Sequence, residues 1–514
     1  MKSGRTKNTT RNIGAGLIDR LVSLVLPFAI RTAIIWTLGA EFTGLASLFA
    51  SILQVLSIAE LGFNTAIVYN LYKPMADGDE KKICETVSLF KKIYRVVGFV
   101  MLIIGLAIMP FLPQMINGGY PSSINLYIVY SLYLVNSAAS YFLFAYKECL
   151  LIADQRQDIA KNTRTAVKVL VYLSQLIVLL ITKNFYVYLI VQIIGTILTN
   201  ILIQFITVKK YPYYKHVGSK TKIPKSLKKQ VSGLMINKIC DTCRNSFDSI
   251  IISAFIGLTA TAIYGNYYYI YAGLYGIMLA ICNAMGASIG NSIVKKDEDK
   301  NFKDMLVFTQ IFSGLLGFCT IMLACIYQPF MEIWVGKDLM LPTADMLLFC
   351  VYFYAINLNN IRNQYISGTG MWWKLKVSYI IEAVANLVLN IVLGKLFGIT
   401  GVVIATIITI FLFNYLQRNK ILFKNYFSNQ RISKFYKEQF YYFMLTLMGF
   451  AISYSLCLLL PQQNNVTEII IRVVICITIP NIIYYIGVRF TERFKDAKSL
   501  LVRIKKVMFV KNKT

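Results

Sequence analysis

Two arginines in the first long apolar segment are the clearest candidates for chemistry in this sequence. Arg20 and Arg31 are eleven residues apart, and at 100° per residue this spacing places both on one face of a helix. A guanidinium binds phosphate oxygens in pairs and stays charged when water is removed, so such a face suits an anionic ligand. For Arg20, which follows Asp19, an alternative is a side chain that reaches out to the membrane interface.

A second charged face lies in the seventh apolar segment. Lys238, Asp241, Arg244 and Asp248 are spaced by three, three and four residues, which again places them on one side of a helix. The two basic residues are candidates for ligand binding, and Asp241 and Asp248 for exchange of a coupling proton or sodium ion. The alternative is that the four side chains neutralise one another as structural ion pairs.

Further polar side chains inside apolar segments could complete a cavity. Asn360, Arg362 and Asn386 are candidates for ligand binding, and Glu60 and Glu382 for ion coupling. Ionisable groups in a membrane are costly and usually face a cavity or a partner. Amides at helical spacing also serve as hydrogen-bonding partners between helices, so this alternative stays open.

The elements that must position these side chains are membrane-spanning helices. The chain of 514 residues is 57% hydrophobic and 15% charged, which is more apolar than a soluble protein of this size. About 20 apolar residues cross the hydrocarbon core of a bilayer as a helix. We predict fourteen spans, at residues 13–38, 44–72, 96–116, 124–146, 166–181, 186–208, 231–255, 260–294, 305–327, 346–366, 377–396, 402–416, 441–460 and 469–488.

The basic residues predict the orientation of these spans. The sequence has 53 Lys and Arg and a net charge of +29, yet the predicted outer loops hold only Lys183, Lys337 and Lys395. This is the positive-inside pattern, and it predicts that both termini are cytoplasmic. Anionic lipid headgroups account for such a basic face, and no nucleic-acid-binding motif accompanies it. We therefore expect membrane lipids as partners and no nucleic acid.

The spans divide into two similar sets and a remainder. A shift of 218 residues aligns Arg20 with Lys238 and Gly39 with Gly257, and both first helices start in the cytoplasm. The repeats are therefore parallel. We predict an all-α polytopic protein with an N-lobe at 1–208, a basic loop at 209–230, a C-lobe at 231–424, two extra spans within 425–490 and a basic cytoplasmic tail at 491–514. A central cavity would lie between the two six-helix lobes.

The sequence favours a protein that is not an enzyme. The outer loops are short, and we find no Gly-rich phosphate loop, metal-ligand cluster or Ser/His/Asp arrangement. We therefore expect no catalytic residues, no metal and no cofactor, apart from coupling to protons or sodium.

Five short motifs are distributed along the chain: ELGFNTAI at residues 60–67, LYKP at 71–74, LLIADQRQ at 150–157, DSIIIS at 248–253 and IYGNY at 263–267. They resemble motifs of the polysaccharide-exporter flippases, which belong to the multidrug/oligosaccharidyl-lipid/polysaccharide (MOP) exporter superfamily. The resemblance extends over essentially the whole chain.

The resemblance implies a V-shaped pair of six-helix lobes with two extra helices. Alternating access in such a protein moves undecaprenyl-diphosphate-linked oligosaccharide from the inner to the outer leaflet of the bacterial cytoplasmic membrane. The expected partners are this lipid-linked oligosaccharide and polysaccharide-assembly proteins. Cationic cavity residues of related flippases match Arg20, Arg31 and Arg244 by location.

Two other functions stay open. A cation-coupled multidrug antiporter has the same two-lobed architecture, and the charges in the predicted cavity are evenly balanced between acidic and basic. An integral-membrane glycosyltransferase or polymerase would need a large outer domain, which the sequence does not predict.

Overall fold

The computed structural model describes residues 2–57, 60–214, 225–294, 297–428, 431–460, 466–500 and 502. All regular secondary structure in these residues is helical, which confirms the predicted all-α fold. Parts of two predicted basic segments lie outside the described residues, namely 215–224 of the inter-lobe loop and 501 and 503–514 of the tail.

The chain divides into two compact units, Met1–Gly265 and Asn266–Thr514. The predicted division into lobes at 209–230 stays a prediction. The helices of the first unit are α1 (Lys2–Thr37), α2 (Ala40–Leu56), α3 (Glu60–Asp77), α4 (Glu80–Ile108), α5 (Leu126–Phe142), α6 (Glu148–Ala153), α7 (Gln157–Thr182), α8 (Phe185–Lys210), α9 (Lys225–Phe255) and the start of α10 (Leu258–Val294).

The second unit contains the rest of α10 and the helices that follow it. Two π-helical segments, Ile410–Gln417 and Phe423–Phe427, flank its shortest helix, α15. The helices are α11 (Glu298–Val335), α12 (Thr343–Asn357), α13 (Asn360–Thr369), α14 (Lys376–Thr409), α15 (Arg418–Leu422), α16 (Ile432–Leu458) and α17 (Val466–Arg489).

Many of these helices are long and apolar enough to cross a membrane. In the described part of the chain nine pass on length and composition, or ten if the bent pair Leu126–Phe142 and Ala145–Ala153 is one span. Each of the fourteen predicted spans overlaps a helix, and α1, α2, α3 and α9 cover predicted spans one, two and seven. The protein is therefore a multi-pass helical membrane protein.

A glycine within α14 separates two of the predicted spans. Gly398 has φ 62° and ψ −136°, which breaks α14 between the predicted spans 377–396 and 402–416. Positive φ is accessible to glycine at little cost because it has no Cβ. Hydrogen bonds from Ser378 to Gln417 and from Asn386 to Thr406 show that the chain reverses direction there.

The sequence correspondence of 218 residues has a structural counterpart. Gly39, between α1 and α2, has φ 107°, and Gly257, between α9 and α10, has φ 121°. Each glycine thus ends the first helix of a hairpin at the position that the correspondence predicts. Because both φ values are in the left-handed region, glycine is the residue that both turns require.

The two hairpins approach closely within the first unit. A Cβ added to Gly44 of α2 would lie 2.0 Å from the carbonyl oxygen of Leu258, the first residue of α10. Small residues let helix backbones approach in membranes, where dispersion contacts and hydrogen bonds hold helices together. The start of α10 is therefore fixed against α2.

Candidate functional site

Arg31 of α1 lies against the second turn of α10. One of its terminal nitrogens donates a hydrogen bond to the carbonyl oxygen of Ala262 at 3.2 Å. A Cβ added to Gly265 would lie 2.6 Å from the same nitrogen and 3.0 Å from the hydroxyl oxygen of Ser47. The lack of a side chain at Gly265 therefore leaves the space that the guanidinium occupies.

Asp248 of α9 binds the same turn of α10. It is 1% exposed and accepts a hydrogen bond of 2.8 Å from the hydroxyl group of Tyr264. Tyr264 lies between Ala262 and Gly265, so α1 and α9 contact one short segment of α10. The predicted cationic and acidic candidates Arg31 and Asp248 are thus brought to a common element.

Two charged side chains of α9 form an ion pair with each other. A terminal nitrogen of Arg244 lies 3.4 Å from a carboxylate oxygen of Asp241, and Arg244 is buried whereas Asp241 is partly exposed. Lys238 is exposed. The alternative of structural ion pairs therefore applies to Asp241 and Arg244, and Asp248 accepts a hydrogen bond from Tyr264.

The buried side of α9 packs on α2. The hydroxyl group of Ser246, which is fully buried, lies 3.4 Å from the amide oxygen of Gln54 of α2. Helices α2 and α3 both pack along α9. The packing of α2 and α3 therefore positions the charged face of α9.

The first arginine of the predicted stripe lies in a different environment. Arg20 is exposed, whereas Arg31 is partly buried, so α1 does not bury both guanidinium groups alike. Asp19 accepts hydrogen bonds from Lys168 of α7 at 2.8 Å and from Thr165 at 3.0 Å. The sequence analysis missed Lys168, although its position within the predicted fifth span was a usable signal.

The side chain of Glu60, the first residue of α3, lies outside the described residues. Its predicted role in ion coupling therefore stays a prediction.

Arg362 is buried in the second unit by contacts to the π-helical segment Ile410–Gln417. It is 1% exposed and donates to the backbone carbonyl of Asn414, to the Asn414 side-chain oxygen and to the side-chain oxygen of Asn363. The altered hydrogen bonding of a π-helix makes such backbone oxygens available to side chains. These neighbours hold the guanidinium firmly.

Glu382 forms an ion pair with Arg418, and both side chains are almost fully buried. Arg418 also donates to the hydroxyl oxygen of Ser378 at 3.3 Å, and its guanidinium lies 4.0 Å from the centre of the Tyr379 ring. The reversal at Gly398 brings Arg418, the first residue of α15, back alongside Glu382 of α14.

The amide candidates of the second unit bind other polar side chains. Asn360 donates to the side-chain oxygen of Asn357 at 2.8 Å. Asn386 donates to the hydroxyl group of Thr406 at 3.1 Å and accepts from Asn390 at 3.2 Å. Asn386, Asn390 and Thr406 are fully buried, so this network connects the two arms of α14. The structure does not place these residues with Arg31 in one unit.

A set of hydrogen bonds, which we call the latch, joins the loop after α4 to the end of α9. The backbone N–H of Asn117 donates to the Ser253 carbonyl at 2.9 Å, and the Asn117 side chain donates to the Phe255 carbonyl at 2.7 Å. The hydroxyl group of Ser253 donates to the Met115 carbonyl at 2.8 Å. Both segments belong to predicted outer loops or their borders, and the latch holds them together.

No group of three or more His, Cys, Asp or Glu side chains is arranged to hold a metal ion among the residues that the structure describes. The chemistry available at the Arg31 site is therefore that of a guanidinium, a carboxylate and hydroxyl groups.

The similarity of this chain to known proteins lies in its fold. No protein-family model and no curated protein sequence matches the chain. The structure is similar to that of the lipid II flippase MurJ in an inward closed conformation, with a TM-score of 0.65, 15% identity, and coverage of 93% of this chain and 98% of that one.

Two further similar structures are transporters. One is a multidrug resistance MATE family transporter of the MOP superfamily in an inward-facing conformation, with a TM-score of 0.61, 14% identity, and coverage of 79% of this chain and 98% of that one. The other is a MOP superfamily transporter from Pyrococcus furiosus, with a TM-score of 0.54, 11% identity, and coverage of 81% and 96%. The chain therefore has the fold of the MOP superfamily transporters.

Proposed function

We propose that the protein is a flippase that moves undecaprenyl-diphosphate-linked oligosaccharide from the inner to the outer leaflet of the bacterial cytoplasmic membrane. The observation that carries this proposal is the position of Arg31, which is held by a neutral carbonyl oxygen inside a unit of apolar helices. A cation retained there, at a cost of about 2.5–3.5 kcal/mol on insertion scales, suits a phosphate ligand. The similarity in fold to a lipid II flippase over 93% of the chain supports the same choice.

The substrate presents a specific physical problem. A diphosphate and a polar glycan must cross a barrier of about 30 Å while the polyprenyl tail remains in lipid. Arg31 and Arg244, together with Lys238 and Arg20, would replace water around the phosphates. Alternating access would then expose this site to each side of the membrane in turn, and rearrangement of the surrounding helices would weaken the attraction for release.

Coupling to an ion gradient is a further part of the proposal. We propose that Asp248, whose carboxylate is almost fully buried, and Glu60 exchange a proton or sodium ion. Asp241 and Glu382, the other two predicted coupling residues, form ion pairs with Arg244 and Arg418. Replacement of Glu60 by Gln is expected to abolish the response of transport to an imposed pH or sodium gradient. An unchanged response would remove Glu60 from the scheme.

A cation-coupled multidrug antiporter is the second candidate. The almost fully buried carboxylate of Asp248 favours it, since a carboxylate could attract a cationic drug. The similarity in fold to MATE transporters, with a TM-score of 0.61, is compatible with either function. The two candidates differ in the charge of their substrate.

Deletion of the gene tests the two candidates together. The flippase proposal expects surface polysaccharide to be lost and its lipid-linked precursor to accumulate, with recovery on expression of the wild-type chain. If the protein is an antiporter, we expect the deletion strain to become more sensitive to lipophilic cationic dyes and to keep normal surface polysaccharide. Normal polysaccharide in the deletion strain would contradict our proposal.

The cellular setting remains part of the proposal. A bacterial cytoplasmic membrane, cytoplasmic termini and contacts with polysaccharide-assembly proteins are consistent with the charge distribution and with the proposed substrate. Labelling from the cell exterior of a cysteine introduced at Lys337, and not of one at Lys209, would support this orientation.

A further inference from the structure

The first unit contains a polar cavity apart from the Arg31 site. Its volume is about 290 Å³, and it lies between α5, α7 and α8 beside the start of α6. Helices α7 and α8 each contribute lining residues at spacings of three and four, so each presents one continuous polar face to the cavity. The polar lining consists of Ser140, Glu148, Arg164, Lys168, Tyr172, Gln175, Gln192, Thr196, Thr199 and Asn200.

Gln175 offers an acceptor that the protein leaves without a hydrogen bond. The residue is 1% exposed, and its side-chain nitrogen donates to the Tyr188 carbonyl at 3.2 Å. Its side-chain oxygen is buried and has no hydrogen-bond partner. Since buried polar groups are nearly always paired, this oxygen is an unmet hydrogen-bond acceptor on a residue that lines the cavity.

Three neighbouring polar residues of α8 have already donated protons within the protein. The Thr199 hydroxyl donates to the Gly195 carbonyl at 2.8 Å, and the Thr196 hydroxyl to the side-chain oxygen of Asn136 at 2.7 Å. The side-chain nitrogen of Asn200 donates to the Thr196 carbonyl at 2.8 Å. What these groups still present is oxygen lone pairs, so this part of the lining accepts hydrogen bonds.

The charges around the cavity are matched within the protein. Arg164 forms an ion pair with Glu148, and Lys168 forms one with Asp19 at 2.8 Å. An ionic ligand would have to disrupt one of these pairs. A diphosphate has only acceptor oxygens to offer to Gln175 and Thr199, and a cation would meet Arg164 and Lys168. The lining therefore suits a neutral molecule that is rich in hydrogen-bond donors.

We propose that this cavity binds a neutral, hydroxyl-rich sugar unit of the transported saccharide. This inference rests on the proposed function and adds to it a glycan site that is separate from the diphosphate site at Arg31. A polar cavity of this volume would hold roughly ten water molecules at their share of liquid volume. Sugar hydroxyls can displace such water because they reproduce its hydrogen bonds to the protein.

The test compares binding of two probes to the full-length chain in detergent. The first probe is the repeat-unit oligosaccharide released from the surface polysaccharide of the source cell, without lipid or phosphate, and its binding is measured by saturation-transfer NMR. The second probe is undecaprenyl diphosphate without sugar. Gln175→Leu and Thr199→Val are each expected to weaken oligosaccharide binding about fivefold, the typical effect of one neutral hydrogen bond, and to leave undecaprenyl diphosphate binding unchanged.

Two control variants complete the experiment. Arg31→Ala should weaken binding of undecaprenyl diphosphate and not of the oligosaccharide. Thr182→Val removes an exposed hydroxyl group that donates to the Val178 carbonyl at the end of α7. This variant should bind both probes as the wild type does.

Several results would overturn the sugar site. If the wild-type chain binds undecaprenyl diphosphate but no oligosaccharide, the cavity holds water only and the proposed function still stands. If both cavity variants bind the oligosaccharide as well as the wild type does, the site lies elsewhere. If they lose both probes alike, Gln175 and Thr199 are structural. A wild-type chain that binds neither probe contradicts the proposed function as well.

Discussion

At the scale of single residues, the same type of charge has two different surroundings in this protein. Arg31 contacts a carbonyl oxygen of α10, and the space for its guanidinium depends on Gly265. Arg362 and Arg418 are instead enclosed by side chains and carbonyls of the second unit. Those two charges are bound within the second unit and have little capacity for a ligand. We place the proposed anion site at Arg31 because it contacts the turn of α10 that Asp248 also binds.

We expect Arg31→Ala to reduce polysaccharide export by between tenfold and a hundredfold. A hydrogen bond to a charged group contributes about 1.5–3 kcal/mol, which corresponds to this range if one such bond to the diphosphate is lost. Export should be measured in cells at matched protein levels. Arg20→Ala is the control within the same helix, and its exposed side chain predicts a smaller effect. Full export by Arg31→Ala would remove the cationic site from the mechanism.

Glu382→Gln is expected to act on stability. The change leaves Arg418 with an uncompensated charge in a buried environment, which typically destabilises a protein by about 3–5 kcal/mol. The thermal unfolding midpoint of the purified protein should fall clearly. Asp299→Asn is the matched control, because its pair with Arg431 is largely exposed and such pairs contribute about 1 kcal/mol or less. Equal midpoints for the two variants would mean that the Glu382 pair has no structural role.

At the scale of helices, hydropathy predicted segments that overlap helices of the structure, because most of them are long apolar segments. The sequence also predicted the separation of the spans at 377–396 and 402–416, which Gly398 produces. The partners of Asp19, Glu382 and Arg362 were not predictable in the same way. Lys168, Arg418 and Asn414 are distant in sequence from these three residues, and tertiary packing, such as that of α1 on α7, brings the side chains together.

The latch between the loop after α4 and the end of α9 is expected to control the outer end of the first unit. Asn117→Ala removes the hydrogen bond to the Phe255 carbonyl, and we expect amide exchange over residues 253–257 to become about tenfold faster, as for the loss of a bond of about 1–1.5 kcal/mol. Hydrogen–deuterium exchange measured by mass spectrometry would detect this change.

Asn184→Ala is the control for the latch. Asn184 caps α8 by accepting from the backbone N–H groups of Tyr186 and Val187, so its loss should affect exchange near those residues only. Exchange over 253–257 that is the same in Asn117→Ala and in the wild type would show that the latch does not hold this end of α9.

At the scale of the whole molecule, the fold is defined more closely than the function. The multi-pass helical fold follows from sequence, and the structure is similar to those of a lipid II flippase and a multidrug resistance transporter. Since one fold hosts several substrates, the substrate has to be argued from the site. Here the site contributes a cation at Arg31, a buried acid at Asp248 and an acceptor-lined cavity at Gln175, a combination that suits a diphosphate joined to a glycan.

Translocation in proteoliposomes tests this claim most directly. The purified chain would be reconstituted with a fluorescently labelled undecaprenyl-diphosphate oligosaccharide, and movement between leaflets followed by a membrane-impermeant quencher. We predict that the wild-type chain accelerates translocation over protein-free vesicles and that Arg31→Ala abolishes most of this acceleration. A wild-type chain that moves a lipophilic cationic dye but leaves the labelled lipid in its original leaflet would contradict the account.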